Sequence, residues 1–161
     1  MSRAEPRTPH PDVTQECETA RMRDDEWARQ RAEAVRVQAD RLAARQDAEH
    51  ARAEAMLHEF AAAADAAGLE PEDLVVQGYG GRGTARTGLR GWYLRVDRSA
   101  GVSTTGDFYV LTAPLGLLDR VRGVRPEARR PPLTLGAGGK DGESMPLADV
   151  LDRLLPGWRA R

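Results

Sequence analysis

The sequence predicts an α+β fold, in which a long, coiled-coil-like N-terminal helix with an alanine-rich seam precedes a small antiparallel sheet with one or two packed helices. Two observations support this prediction. All 16 glycines of the 161-residue chain lie at Gly68 or later, and the apolar residues change there from helical spacing to alternation. The predicted organisation is a disordered N-terminus over 1–11, a helical arm over 12–67 and an α+β domain over 68–161.

The arm is predicted to be one continuous helix. Residues 12–67 contain neither glycine nor proline, and most of them are strong helix formers. Asp12 or Thr14 can cap the first turn, and Gly68 suits the left-handed position that ends a helix. At 1.5 Å per residue the helix would be roughly 80 Å long, which is more than a small domain can cover.

The arm also carries a heptad row, in which apolar residues recur in alternating steps of four and three. The row is Ala28, Ala32, Val35, Ala39, Leu42, Gln46, Glu49, Ala53, Met56, Phe60, Ala63 and Ala67. Since each buried methylene contributes only about 0.8 kcal/mol, this alanine-rich row holds a helix pair more weakly than a leucine zipper. The predicted seam residues for self-association or for a partner helix are Val35, Leu42, Met56 and Phe60. The alternative is a single solvated helix with charge pairs such as Asp25 with Arg29.

Beyond Gly68 the sequence indicates short strands. "EDLVVQ" is an apolar run, and "GWYLRVD" alternates, with Trp92, Leu94 and Val96 on one face. "VSTT" and "FYVLTA" predict a hairpin with a two-residue turn at Gly106 and Asp107. A short helix over 115–121, an edge strand at "PLTLG" and a helix over 146–155 with one apolar stripe complete the prediction.

Charge is distributed unevenly along the chain. Residues 1–77 carry 10 basic and 17 acidic side chains, a net of −7, whereas residues 78–132 carry 10 basic and 4 acidic ones, a net of +6. Arginines beside aromatic residues can bind phosphates and stack on bases. The candidate nucleic-acid-binding residues are Arg82, Arg86, Arg90, Arg95 and Arg98, with a second cluster over 120–130. Alternatively, the acidic arm neutralises the basic segment.

Two glycine-rich loops resemble phosphate-binding motifs incompletely. "LGAGGKDGES" offers Gly138, Gly139 and Lys140 as an anion-binding loop, but a Walker A motif needs glycine and Ser or Thr where the chain has Thr134 and Asp141. "GYGGRG" fits G-x-G-x-x-G, yet the next strand is expected within eight residues, which leaves no room for the required helix. Both loops are interpreted as structural connections.

The distribution of His and Cys argues against catalysis. His10, His50, His58 and Cys17 all lie in the first 67 residues, so the predicted domain lacks the usual general base, thiol nucleophile and soft metal ligands. His50, Glu54 and His58 share one helical face and are expected to be solvated. The chain is therefore predicted not to be an enzyme, and no catalytic residue, cofactor or metal ligand is assigned.

Four stretches of the predicted domain together resemble an uncharacterised family of high-GC actinobacterial proteins. They are "GLRGWYLRVD", "TTGDFYVLTAP", "PPLTLGAGGKDGES" and "LADVLDRLL". The resemblance implies that about 88–155 form one module. That family has no assigned activity, so the resemblance implies no functional residue.

The sequence thus favours a cytoplasmic, non-enzymatic protein that oligomerises or binds a protein partner through its arm. A single cysteine cannot form an internal disulfide, and no apolar run approaches the roughly 18 residues of a membrane span, so no membrane partner is expected. One alternative is nucleic-acid binding by the arginine clusters. The other is anion or nucleotide binding at the glycine-rich loops.

Overall fold

The computed structural model of the protein describes residues 13–136 and 144–160, with side chains from Arg21 onward. Its fold is α+β, as predicted. The helices are α1 (Val13–Ala66), α2 (Leu117–Arg122) and α3 (Leu147–Leu154), and the strands are β1 (Glu72–Gly78), β2 (Thr84–Tyr93), β3 (Ala100–Ser103), β4 (Phe108–Val110), β5 (Thr112–Ala113), β6 (Thr134–Leu135) and β7 (Met145–Pro146).

Helix α1 is continuous over 54 residues, which confirms the predicted long helix. Gly68, at φ 68°, ends it in the left-handed conformation. The amide of Gly68 donates to the carbonyl of Asp65 (3.0 Å) and that of Leu69 to Ala64 (2.9 Å). These two bonds form a Schellman cap, which satisfies carbonyl groups left unpaired at the end of the helix.

The chain divides into two compact units, Met1–Arg45 and Gln46–Arg161, so the division falls inside α1. The reason is burial: Ala53, Leu57 and Phe60 are completely buried within the second unit. The last third of α1 is therefore part of the sheet's own hydrophobic core.

The main sheet has the order β4-β3-β2-β1-β5. Three of its four pairings are antiparallel, but β5 runs parallel to β1, so the sheet is mixed rather than purely antiparallel. Leu111 alone separates β4 from β5. Its amide donates to Ser99 beside β3 (2.8 Å), and its carbonyl accepts from Gln77 of β1 (2.7 Å). Strands β4 and β5 therefore form one bent strand, which pairs with β3 through β4 and with β1 through β5. This double pairing closes the sheet on itself.

The β3–β4 hairpin is present, but its turn differs from the prediction. The loop has three residues, 104–106, because Ser103 and Asp107 still pair (N to O, 2.9 Å). Gly106 closes the loop at φ 91°, the conformation of a hairpin with a glycine bulge.

Strand β2 begins at Thr84, so the stretch "TARTGLRG" that follows "GYGGRG" already belongs to it, whereas the sequence predicted a strand only at "GWYLRVD". Its register against β1 shifts between Asp73 and Val75, and Gly88, at φ 73°, lies within this bulge. Gly91 has a different role, since a Cβ there would collide with the Val102 carbonyl of β3. The two glycines thus permit the strand rather than interrupt it.

Both faces of the closed sheet are covered. On the outer face, α1 and α3 pack over Trp92, Leu94 and Val102, and the ring of Phe60 lies edge-on to Trp92 and Trp158 at centroid distances of 5.7 and 5.8 Å. The inner core comprises Leu74, Val76, Tyr93, Tyr109 and Leu111.

The predicted alternation of "GWYLRVD" holds through Leu94. It fails at Val96, which is 93% exposed because β2 ends at Tyr93. The remaining predicted elements form near their predicted positions: α2, the stripe of α3 (Leu147, Val150 and Leu151), and "PLTLG", which pairs as β6 with β7 in a separate two-stranded sheet.

Candidate functional site

The predicted seam residues fall into two groups with different surroundings. In the first unit, the row residues Ala28, Ala32, Val35, Ala39 and Leu42 are all exposed, with Val35 at 69% and Leu42 at 56%. We call these five positions the 28–42 row. Helical geometry places them within a narrow stripe, since steps of three and four residues return to the same side of a helix.

Phe60 and Met56 are in a different environment. Phe60 is completely buried in the outer core, so it is not available to a partner helix, which corrects its predicted role. Met56 is half-buried and packs against the same core. An alanine-rich helix presents apolar methyls on several faces, and the neighbouring aromatic residues decide which face is buried.

The acidic excess of residues 1–77 is concentrated near the sheet. Residues 46–77 contain eight acidic side chains and one arginine, whereas residues 21–45 contain seven arginines and five acidic side chains. Several of the acidic groups pair with the basic segment. Arg130 contacts Asp47 (2.7 Å) and Glu54 (3.9 Å), Arg98 contacts Glu72 (3.6 Å) and Arg90 contacts Asp73 (3.9 Å). The opposite charges therefore neutralise each other within one unit.

The five candidate nucleic-acid-binding arginines do not share one environment. Arg90 and Arg98 have the acidic partners just named, and Arg95 pairs with Asp97 (3.2 Å). Burial alone raises the pKa of Asp97, but hydrogen bonds from Ser99 and Arg95 outweigh it and lower that pKa below its ordinary value. Arg82 and Arg86 have no ion-pair partner within the described ranges.

Arg82 and Arg86 instead lie beside α2. The Arg120 guanidinium donates from Nη2 to the carbonyl of Arg82 (2.7 Å), and the amide of Val124 donates to the carbonyl of Arg86 (2.8 Å). These bonds bring arginines from both clusters together around one short helix.

The same helix exposes three aliphatic side chains. Leu117 is 80% exposed, Leu118 76% and Val121 89%, and α2 buries none of its residues. Tyr79, in the neighbouring β1–β2 loop, is 64% exposed. We call this set the α2 surface: Tyr79, Arg82, Arg86, Leu117, Leu118, Arg120, Val121 and Arg122. This surface was not predicted from the sequence because "LLDRVR" resembles an ordinary short core helix. Whether such a helix is covered by other elements depends on the tertiary structure and not on its own sequence.

The "GYGGRG" loop is the turn between antiparallel strands β1 and β2. Gly78 donates to Gly83 (2.9 Å) across the loop, and a strand rather than a phosphate-binding helix follows. A concavity of about 340 Å³ adjoins it, lined by Gly78, Tyr79, Arg82, Pro114, Leu115 and Arg120. Gly138, Gly139 and Lys140 of the other loop lie outside the described residues.

The face of α1 that carries His50, Glu54 and His58 was expected to be solvated, but all three side chains contact other parts of the protein. Nδ1 of His50 lies 2.8 Å from the carbonyl of Pro131, and Nδ1 of His58 lies 2.8 Å from that of Thr105. A carbonyl only accepts hydrogen bonds, so both Nδ1 atoms carry the proton. Glu54 of the same face contacts Arg130. These residues attach α1 to two loops of the sheet. No group of three His, Cys, Asp or Glu suited to a metal is found in the part of the chain that the structure describes.

A larger cleft, of about 890 Å³, lies between strands β4–β5 and the segment 124–132. Its lining includes apolar side chains such as Phe108 and Leu115 together with Arg95, Arg125, Arg129 and Arg130. Glu127 is the only acidic side chain among the described residues that line it, so they provide no carboxylate pair for acid–base chemistry.

Comparisons with protein-family models, with characterised proteins and with solved structures found no match to this chain. Among the described residues, no helix is both long and apolar enough to cross a membrane. The resemblance to the actinobacterial family therefore stays a prediction.

Proposed function

We propose that the protein is a non-enzymatic, self-associating protein, in which the 28–42 row of α1 pairs with the same row of a second copy. The observation that supports this most directly is the exposure of Val35 and Leu42, at 69% and 56%. These two residues lie one heptad apart on a helix that continues without a break beyond both of them.

The other positions of the row allow a close helix pair. Alanine at 28, 32 and 39 keeps the surface between the larger residues flat. Small side chains allow two helix axes to approach to about 8 Å, the short end of the usual range. Val35 and Leu42 of each copy can then pack into the spaces left by the alanines of the other.

The expected affinity is modest. Fully burying a valine or leucine contributes about 1.5–3 kcal/mol, and these side chains are already partly covered. Four such side chains in a pair contribute roughly 4–8 kcal/mol, from which the entropy of association is subtracted. The dissociation constant is therefore expected to be no tighter than the micromolar range, and the measured mass should depend on concentration.

Sedimentation velocity with a matched pair of valine variants tests the proposal. Val37 is also exposed, but it lies about 200° further round the helix than Val35. Val35→Asp should give a monomer over about 10–500 µM, whereas Val37→Asp should associate as the unchanged protein does. Both variants should keep the same helical circular dichroism and the same thermal transition of the second unit.

Two results would overturn the proposal. One is an unchanged protein that stays monomeric across that concentration range. The other is an equal loss of association in Val35→Asp and Val37→Asp, because a specific row cannot be disrupted equally from the opposite face.

A further inference from the structure

We propose that the α2 surface is a docking site for an anionic phospholipid bilayer. In this contact Leu117, Leu118 and Val121 enter the headgroup and upper acyl region, while the surrounding arginines bind lipid phosphates. The contact is peripheral and requires no membrane-spanning helix. It shares no residue with the 28–42 row, so either proposal can fail without the other.

The apolar part of this surface has no role in the core. Helix α2 buries none of its residues, and its three aliphatic side chains are each more than three-quarters exposed. Exposed large apolar side chains grouped in one place commonly mark an interaction site. Val96 and Val110 are also exposed, but they do not belong to a group of this kind.

Polar bonds hold α2 in position while leaving its apolar side chains outside. The amide of Gly116 donates to the Asp119 carboxylate (2.8 Å), and that of Gly123 donates to the Asp119 carbonyl (2.9 Å). Arg120 and Val124 attach the helix to the carbonyls of Arg82 and Arg86. The exposed side chains are therefore presented from a fixed backbone.

The charges around α2 are not neutralised in the way that four other arginines of the basic segment are. Arg90, Arg95, Arg98 and Arg130 each have an acidic partner. Among the described residues, no carboxylate oxygen lies within 4 Å of the guanidinium nitrogens of Arg82, Arg86, Arg120 or Arg122. Of the six arginines of the described basic segment without an acidic partner, four thus belong to the α2 surface, and the other two, Arg125 and Arg129, line the larger cleft.

The neighbouring concavity provides a place for a lipid phosphate. Tyr79, Arg82 and Arg120 line it. Arginine binds phosphate oxygens in a bidentate manner, and tyrosine is enriched where a membrane meets water. Aliphatic, aromatic and basic residues therefore occur together as a bilayer interface requires.

The protruding aliphatic side chains favour a bilayer over other anionic partners. Single-stranded nucleic acids are bound by stacking bases on aromatic rings, and Leu117, Leu118 and Val121 cannot stack. A protein partner would need a pocket shaped to three projecting side chains, whereas a fluid bilayer surrounds them without any matched shape. The combination of charge and aliphatic exposure therefore fits anionic lipid best.

Vesicle flotation with the full chain tests the proposal. The probes are vesicles of phosphatidylcholine alone and of phosphatidylcholine with about 30% phosphatidylglycerol, an anionic fraction that gives a negative surface potential. The protein should float with the anionic vesicles, and added salt should weaken the binding because it screens the arginines. Absence of flotation, or equal flotation with both vesicle types, would overturn the proposal.

Matched variants separate insertion from charge. Val121→Asp should reduce the vesicle-bound fraction strongly, whereas Val96→Asp, at a similarly exposed valine, should leave it unchanged. Arg122→Gln should weaken binding on the order of fivefold, the effect of one basic residue near an anionic surface, and Arg52→Gln should not. An equal loss in both members of either pair would contradict the assigned surface.

A fluorescent single-stranded oligonucleotide provides the last arm of the experiment. Binding of this probe more tightly than anionic vesicles, with the same affinity in Val121→Asp, would overturn the lipid assignment in favour of nucleic acid. Circular dichroism and thermal unfolding of each variant establish that the fold is kept.

Discussion

Replacing Phe60 by alanine is expected to destabilise the second unit severely and to leave self-association through the 28–42 row intact. The Phe60 ring is completely buried and packs edge-on against Trp92 and Trp158 at 5.7 and 5.8 Å. Truncation of a buried phenylalanine costs about 3–5 kcal/mol. Since a domain of this size is stable by about 5–15 kcal/mol, the variant should lose at least about a fifth of its stability.

Urea unfolding followed by tryptophan emission measures this loss. Trp92 and Trp158 report on the core, and Trp27, which is 59% exposed in the first unit, is replaced by phenylalanine in every sample to remove its signal. Val37→Ala is the matched control. It lies on the same helix but outside the 28–42 row and is 39% exposed, so its unfolding free energy should change by less than about 1 kcal/mol.

The result that would refute this reasoning is a Phe60→Ala variant destabilised by less than about 1 kcal/mol. A Phe60→Ala variant that dissociates at unchanged stability would place Phe60 at an interface between copies. That outcome would contradict the core position assigned to it.

Two further predictions concern the sheet and its loops. Gly91→Ala should cost about 3 kcal/mol or more, because its Cβ would meet the Val102 carbonyl, a backbone group that cannot move freely. Gly88→Ala should cost only about 1–2 kcal/mol, because its φ of 73° is left-handed but no atom lies within 4 Å of the new Cβ; an equal cost in urea denaturation would contradict this account. Asp97→Asn should flatten the dependence of stability on acid pH. Because its hydrogen bonds lower the folded-state pKa of Asp97 below 3.8, the carboxylate stabilises the fold above pH 3.8, and this contribution disappears as pH falls through the folded-state pKa. Urea midpoints measured at successive pH values below about 5 check this, and identical slopes in both proteins would refute it.

The sequence predicts the existence of α1 well because helix formation there depends on local properties. Residues 12–67 lack glycine and proline, and Gly68 supplies the left-handed end. The buried face is harder to predict. Ala53 and Phe60 belong both to the predicted heptad row and to the face of α1 that is buried in the structure. The spacing of the apolar residues alone therefore does not identify the buried face. Only the position of Trp92 and Trp158 distinguishes a core face from an oligomer seam.

The sheet shows a similar limit. Strand β2 was predicted too short because Gly88 and Gly91 resemble loop residues. In the structure Gly88 lies in a bulge, and Gly91 permits the close approach of β3. The parallel pairing of β5 depends on a bend at Leu111, whose amide bonds to Ser99 and whose carbonyl bonds to Gln77. No local sequence pattern predicts a residue that bonds to two separate strands in this way.

The pairing of the arginines with acidic residues is the part of the candidate site that depends on the fold and cannot be predicted from the sequence. The sequence gives the net charge of residues 78–132 correctly, but it cannot say which of those arginines are neutralised. Arg90, Arg98 and Arg130 contact Asp73, Glu72 and Asp47. Such exposed pairs contribute only about 0–1 kcal/mol each to stability, yet they reduce the charge available to a phosphate backbone.

Any anionic partner must therefore bind mainly through the arginines that keep their charge available. Four of them surround α2, where Leu117, Leu118 and Val121 are exposed together. A partner that attracts arginine but offers nothing apolar would leave those three side chains in water. The exposed aliphatic residues, rather than the net positive charge, are thus what decides between lipid and nucleic acid for this surface.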